Sequence, residues 1–532
     1  MSDSIKRVLV SDKLSQEGLA IFEAAEGIEV DNRPGLSPEE LLACIGDYHG
    51  LAIRSGTKVT AEVLAAAKKL EVVGRAGIGV DNVDREAASR RGVVVMNTPG
   101  GNTVTTAEHT LAMLMSVSRH IPQATATLKA GKWEKKKLQG RELFNKTLGV
   151  IGLGAIGRIV ADRAMGLKMK VIGYDPLLDG EDARTLGVEL VSLDELYRRS
   201  DYVTVHVPMT DETRGMIDAA VIEKMKPGVF IINCARGGIV DEAALDQALA
   251  AGRIGGAAFD VFVEEPPPAD HPLLKHDTFV CSPHLGASTE EAQVNVAVAV
   301  AEQMVEYLTT GNPRNAVNLP AVPSDVREVI APYLELAHRL GALAGQLAPK
   351  GAKRFTLTTA GEVAQVSSRP LASKALAAFV GARLDGNVNE VNAPHLAAEH
   401  GLELIEARAG SAGRFVSLIQ IEVESEGGSF ELAGTLFGED DPRIVRMQGH
   451  DLEAIPEGAL LVFHNDDQPG VVGGIGTLLG QAGINIAGMQ LSLHDETGKA
   501  MSIVNVARLP DEEVLAKLAA LPHILWVRTA QL

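Results

Sequence analysis

Cysteine is scarce in this 532-residue chain: Cys44, Cys234 and Cys281 are too few and too scattered for a disulfide framework or a zinc cluster. Long apolar runs are missing. No stretch reaches the length of a membrane span, and "MSDSIKRVLVSD" has no signal-peptide core, so a soluble, cytoplasmic protein is expected. An excess of positive charge is missing as well. The formal net charge is −19, which argues against non-specific binding to nucleic acid or to an anionic membrane. An anionic small substrate stays open, because a local basic pocket can oppose the global field.

What is there is length and alternation. A chain of 532 residues exceeds one hydrophobic core, and three or four domains are expected. The first third alternates β-rich runs ("KRVLVS", "IEVDN", "GLAIRS", "EVVGRAG", "VVVMN") with helical stretches, the signature of a parallel sheet covered by helices. A long helix is predicted over 103–121. A second series follows, with six strands: "TLGVIGLG", "MKVIGYD", "YVTVHVP", "VFIINCAR", "GAAFDVF" and "TFVCSPH". It suits a doubly wound dinucleotide fold. The helix "STEEAQVNVAVAVAEQMVEYL" is long enough to return across a domain boundary, and 310–325, with three prolines, reads as a linker. Beyond it, 326–455 mixes a helix with the hairpin "SLIQIEVESEGGSFELAGTLFG". From 458 the order is βαββαβ, a ferredoxin-like unit.

The first chemical signal is "VIGLGAIGRI". Gly152, Gly154 and Gly157 fit G-x-G-x-x-G between a strand and a helix, where backbone N–H groups meet a pyrophosphate at the positive helix end. Asp175 ends the next strand, 18 residues after Gly157, the spacing of a carboxylate on the adenosine ribose hydroxyls. It would repel a 2′-phosphate, which favours NAD over NADP. Three polar residues then follow successive later strands: Arg236, Glu265 and His284. Such strand-end side chains converge on one crevice in an open α/β sheet. Taken singly, each has an ordinary explanation as a turn cap, a loop carboxylate or a structural histidine.

"VGRAGIGVDNVD", "VIGLGAIGRI", "NCARGGIVDE", "DVFVEEPP" and "PHLGAST" together resemble the D-isomer-specific 2-hydroxyacid dehydrogenases. The resemblance spans essentially the whole chain. It implies an α/β protein with two doubly wound parallel-sheet domains: a flavodoxin-like substrate domain (1–100, completed by 286–318) and a Rossmann NAD domain (101–285). An α+β intervening domain (326–455), of the kind that binds substrate allosterically, and an ACT regulatory domain (458–532) follow. Catalysis would fall to Arg236 holding the carboxylate, His284 exchanging the 2-hydroxyl proton, and Glu265 orienting it; no metal is implied. NAD would meet Gly152, Gly154, Ala155, Ile156, Gly157, Asp175, Val207, Pro208, Cys234, Asp260 and Gly286. Cys234 reads as a small packing residue. The substrate anions would meet Arg54, Arg75, Gly77, Asn102 and Lys135. D-3-phosphoglycerate is the expected substrate, with 2-oxoglutarate reduction as a side activity. A different 2-hydroxy acid, such as glyoxylate, and a non-enzymatic NAD-sensing scaffold are the alternatives. L-serine is the expected effector, at Asn465, Asp467 and Asn485 where two ACT copies meet, so a homo-oligomer, a tetramer, is implied.

Overall fold

The computed structural model describes residues 5–322, 326–366, 368–494 and 498–532. Four sheets organise the chain. In the first, five parallel strands stand in the order Ile28–Asn32, Lys6–Val10, Gly50–Ile53, Val72–Arg75, Val94–Met96. Numbered along the chain this is 2-1-3-4-5, the flavodoxin-like order. Strand Gly50–Ile53 is buried at every position, as helices on both faces require, and its sequence is accordingly an unbroken small and apolar run.

The second sheet has seven parallel strands, one more than expected. In chain order they are Thr147–Ile151, Lys170–Tyr174, Glu189–Leu190, Tyr202–Val205, Val229–Asn233, Ile254–Phe259 and Phe279–Cys281, arranged 3-2-1-4-5-6-7. The additional strand, Glu189–Leu190, is a two-residue edge, too short to leave a periodic signal. Strand order reverses between Thr147–Ile151 and Tyr202–Val205, and the crevice above that point is where such sheets bind ligands.

Two long helices pass between the sheets. Thr103–Arg119 lays Ala107, Leu111, Leu114 and Val117 into the core of the second sheet. Glu290–Thr310 returns to the first, where Ala297, Val300, Ala301 and Met304 pack against Val8 and Val72. Behind it the chain follows the edge strand Val94–Met96: Val317 N–H donates to Val95 O at 2.8 Å, and Asn318 Oδ1 accepts from Val95 N–H at 2.9 Å. The last three residues of the expected linker, 323–325, lie outside the described residues.

The third sheet carries the expected hairpin, Ser417–Ser425 with Gly428–Phe437, Ser425 facing Gly428 across a two-residue turn. Four further strands complete it: Ala352–Gly361, Glu403–Ala409, Asp441–Met447 and His450–Ala454. Helices Arg327–Leu347 and Ser368–Gly381 pack with it. The fourth sheet belongs to the βαββαβ unit, in the spatial order Ile486–His494, Lys499–Val506, Ala459–Asp466, Ile524–Gln531. Strand alternation gives that sheet two apolar faces. Leu461, Phe463 and Val504 meet its own helices through Ile475, Leu479 and Leu518. Leu460, Val462, Met501 and Ile503 enter the core of the preceding module, beside Leu336 and Leu340. The two C-terminal modules therefore share one core.

Among the described residues, no helix is long and apolar enough to cross a membrane.

Candidate functional site

The glycine motif folds as a strand–turn–helix. Gly152 turns with φ +90°, and a Cβ there would lie 2.6 Å from His206 O. A Cβ on Gly157 would meet Gly152 O at 1.9 Å, so this glycine lets helix Ala155–Gly166 close onto the strand. Gly154 is the N-cap of that helix, without a side-chain cap, and open space faces its missing Cβ. Unpaired N–H groups of a first helical turn point there, at the positive end of the helix dipole. Asp175 accepts from Leu153 N–H at 2.8 Å and from Leu177 N–H at 2.9 Å, which ties the glycine loop to the next strand.

Beside this turn lies a cleft of about 680 Å³ between the first two sheets. That volume suits a small-molecule site. Gly154, Ala155, Ile156, Val207, Pro208, Cys234, Asp260 and Gly286 line it, as do Arg75, Asn102, Arg236 and His284. Eight of the eleven expected cofactor residues and two of the five expected substrate residues thus line one cleft, with Gly152, Gly157 and Asp175 behind the lining. Burial pushes the Cys234 thiol up to about 12, which makes it an inert packing group at neutral pH.

His284 sits in the left-handed region, at φ 53°, a conformation that costs energy outside glycine and clusters at functional positions. Asp260 holds it there. Its buried carboxylate accepts from Leu285 N–H at 2.7 Å, Gly286 N–H at 2.8 Å and Ser282 Oγ–H at 2.7 Å, and His109 Nε2 lies 3.2 Å away. Burial alone would raise the Asp260 carboxyl, but these bonds outweigh it and hold it below the usual range.

The His284 ring is half-exposed, and its Nδ1 stands 2.7 Å from Glu265 Oε2. Glu265 Oε1 accepts from Phe262 N–H at 3.0 Å, so the carboxylate is anchored before it meets the ring. Burial opposes its charge, but the bonds from His284 and Phe262 keep it below the ordinary carboxyl value. The same bond raises the His284 imidazole above its ordinary value, against the opposing effects of burial and of the Arg236 charge. With Nδ1–H given to Glu265, Nε2 is left to exchange a proton with a ligand.

The same cleft carries guanidiniums from both sheets, Arg75 from the first and Arg236 from the second. Arg75 is pulled down to about 10, by burial first and then by the Arg236 charge, with Arg54 adding to it and Asp81 and Asp12 opposing. Its Nε is buried without a hydrogen-bond partner, and so is Asn102 Oδ1. Thr103 Oγ1 on the same wall is a third such atom, and buried polar groups of this kind are usually satisfied by a bound ligand or an ordered water. Gly77 does not line the cleft. It makes room for the neighbouring fork, since a Cβ there would fall 1.5 Å from Arg75 Nη1.

Two expected substrate contacts stand apart. Arg54 is off the cleft lining, although its charge is felt at Arg75. Lys135 is exposed on a short turn, Lys135–Lys137, and lines a separate hollow of about 450 Å³ with Trp133. The preceding helix, Ile121–Lys129, buries none of its residues, so this segment projects from the domain and carries Lys135 away from the cleft of its own chain.

The ACT residues also fall at two places. Asn465 is buried near the end of strand Ala459–Asp466, its Oδ1 without a partner, and Asp467 is exposed just beyond. Asn485 is exposed at the other end of the sheet: its carbonyl accepts from Ala507 N–H, whereas Asn465 pairs with Ala500. Seven residues of strand, about 24 Å, separate the two ends. One copy of the module does not bring them together.

Two cleft residues escaped the sequence reading. His206 follows strand Tyr202–Val205 and lies beside Gly152. Asp81 pairs with Arg236, with 2.9 Å between Asp81 Oδ2 and Arg236 Nε. Its signal was present, since a carboxylate in "RAGIGVDNVD" is out of place on an anion-binding loop.

Comparison with known proteins identifies the family and its modules. Residues 111–286 match the family model described as D-isomer specific 2-hydroxyacid dehydrogenase, NAD binding domain. Residues 329–448 match the D-3-phosphoglycerate dehydrogenase intervening domain, and 459–523 the ACT domain. A D-3-phosphoglycerate dehydrogenase of Archaeoglobus fulgidus is 43% identical over 98% of this chain and 98% of its own. Among solved structures, a Thermus thermophilus protein is similar at TM-score 0.54 and 35% identity, covering 58% of this chain and 99% of its own. An NAD-dependent formate dehydrogenase from Staphylococcus aureus, in complex with NAD, is similar at TM-score 0.52 and 30% identity, covering 58% of this chain and 97% of its own. These structures match only the length of the two-sheet unit, whereas the Archaeoglobus relative and the module models continue through the C-terminal third. The chain accordingly belongs to the D-isomer-specific 2-hydroxyacid dehydrogenases, among the D-3-phosphoglycerate dehydrogenases that carry an intervening and an ACT domain.

Proposed function

We propose that this chain oxidises the 2-hydroxyl of D-3-phosphoglycerate with NAD, giving 3-phosphohydroxypyruvate, the entry reaction of phosphorylated L-serine biosynthesis in the cytoplasm. One observation carries the reading: a histidine bonded to a carboxylate, together with Arg75 and Arg236, lines one cleft beside an open glycine turn. The fit to NAD rests on the space at Gly154 and the uncapped helix start. NAD, when bound, supplies the hydride acceptor. The rest falls to side chains. Arg236 and Arg75 take the carboxylate and the phosphate, for which fixed guanidinium forks are suited. His284 Nε2 accepts the 2-hydroxyl proton as the C2 hydrogen departs with its electron pair, and Glu265 stabilises the imidazolium that forms. In reduction the proton returns. The test is NADH formation from 3-phosphoglycerate, with a second enzyme consuming the product. Steady NADH production supports the reading. No production, or faster turnover of a 2-hydroxy acid lacking phosphate, overturns it.

Asp175 sets the cofactor preference in this reading. Asp175→Ala is expected to raise the ratio of NADP to NAD kcat/KM by about tenfold, the scale of one charge–charge repulsion near a surface. It also frees the Leu153 amide, so the KM for NAD rises. A wild-type enzyme that uses NADP as well as NAD contradicts this role.

The oligomer and the effector belong to the same proposal. Ile121, Leu128 and Trp133 are 52%, 59% and 81% exposed on the projecting segment. Such an apolar face is expected to be covered by a second copy. Asn465 and Asp467 of one ACT module would meet Asn485 of another, and L-serine is the proposed ligand there, with Asp467 accepting from its ammonium. A tetramer supplies both interfaces. Millimolar serine is expected to lower activity, and Asn485→Ala to raise the half-inhibitory concentration by about tenfold, within the usual range of allosteric coupling. If calorimetry detects no serine binding, the module is an assembly element instead.

A further inference from the structure

We propose that Asp81 is a positioning residue that reaches across the cleft to set the orientation of the Arg236 fork. The inference rests on the catalytic reading above and deepens it. Arg236 follows strand Val229–Asn233 of the second sheet, and Asp81 follows strand Val72–Arg75 of the first, 155 residues away in sequence. Arg236 Nε donates to Asp81 Oδ2 at 2.9 Å, and Nη1 donates to Ala235 O at 2.7 Å. These two bonds, one from each side of the cleft, determine the plane of the guanidinium. Nη2 rests against the chain at Gly79, where a Cβ would lie 1.9 Å from it. The donors left over are those of Nη2 and the second hydrogen of Nη1. They form the parallel end of the fork, the geometry that grips a carboxylate with two bonds.

The placement is otherwise hard to account for. Arg75 and Arg236 make this wall suited to anions, with the Arg54 charge felt from behind it, and a carboxylate among them weakens ground-state attraction for a substrate of like charge. Asp12, the other carboxylate felt at Arg75, is already engaged through Oδ2 by the Arg54 and Thr57 N–H groups. Asp81 is exposed and has no such structural bonds among those described; its ion pair is with Arg236. Without it, the long Arg236 side chain, repelled by Arg75, is free to swing. The substrate carboxylate would still be attracted, but it would be held at the wrong angle to His284.

This predicts a split that a purely structural role does not produce. Asp81→Asn is expected to lower kcat by about 10- to 100-fold, the usual effect of misplacing a reactant by an ångström. The KM for the hydroxy acid is expected to stay level or fall, because the wall becomes more positive. Asp81→Glu keeps the carboxylate and is expected to recover most of the lost kcat. In an Arg236→Lys background the fork is gone, so adding Asp81→Asn is expected to change kcat by less than about twofold. NADH binding and Tm report on folding, and the Asp81→Glu variant carries the test if Asp81→Asn is unstable. A kcat within twofold of wild type for Asp81→Asn, equal losses in the Asn and Glu variants, or multiplicative losses in the double variant overturns the proposal. Failure of wild-type turnover on 3-phosphoglycerate is a separate result that counts against the function alone. The same split is then required with whichever 2-hydroxy acid the enzyme oxidises, since the carboxylate that Arg236 holds is common to them all.

Discussion

His284→Ala lowers turnover by about 100- to 10,000-fold while leaving NADH binding close to wild type, the expected loss when a positioned general acid–base is removed. NADH binding survives because the glycine turn lies on a different part of the cleft wall, and Asp175 is anchored to that turn rather than to His284. The pH dependence gives the sharper check. Oxidation needs the neutral imidazole, and Glu265 holds the His284 pKa above its ordinary value. The rate of oxidation therefore rises as pH climbs through that raised pKa, and the rate of reduction falls over the same span. Glu265→Gln removes the charge and the strongest acceptor at Nδ1, leaving burial and Arg236 to depress the pKa against the Asp260 charge alone. The oxidation limb then moves to lower pH, and the maximal rate drops because the ring is less well oriented. A limb unmoved in Glu265→Gln, or near-normal turnover in His284→Ala, removes the pair from the mechanism.

Arg75→Gln raises the KM for 3-phosphoglycerate by about 10- to 100-fold while the KM for NAD stays within about twofold. The estimate follows from the roughly 1.5–3 kcal/mol that a hydrogen bond to a charged group contributes. Arg75 lines the cleft and has no ion pair among the described residues, so its charge is available to an anion that enters. Its depressed pKa, about 10, reflects repulsion by Arg236 and Arg54 as well as burial, and a bound dianion relieves that repulsion. The substitution also relaxes the free enzyme, so Tm is expected to hold or rise, as is common where a functional site is under electrostatic strain. Parallel increases in both KM values, with a lower Tm, indicate a folding defect rather than a lost substrate contact.

Local rules made the first two sheets and the last one readable. Their strands are short apolar runs separated by turns and helices, and period alone distinguishes them. The glycine motif was readable for the same reason: the turn, the helix start and Asp175 are close in sequence, and Gly157 closes onto Gly152 within the same turn. The 326–455 module was read poorly. Strand Ala352–Gly361 pairs in parallel with Glu403–Ala409 across two intervening helices, and its "TLTTAG" lacks a clear apolar alternation. Nothing local announces such a pairing. Lys135 was assigned by resemblance, and it lies on the exposed turn Lys135–Lys137, outside the cleft of its own chain.

From sequence alone came the order of the modules, the glycine turn, and the candidacy of Arg236, Glu265 and His284, because strand periodicity places all three just beyond strand ends. Tertiary structure decided which of these groups act together. The His284–Glu265 bond, the left-handed backbone that Asp260 stabilises, and the Asp81–Arg236 pair each join groups 19 to 155 residues apart. It also decided that the ACT module shares its core with the module before it. The physical reason is the same throughout. Backbone preference and amphipathic period act over a few residues and are written locally, whereas charge pairing, close approach and burial depend on distance in space, which exists only after the sheets have packed.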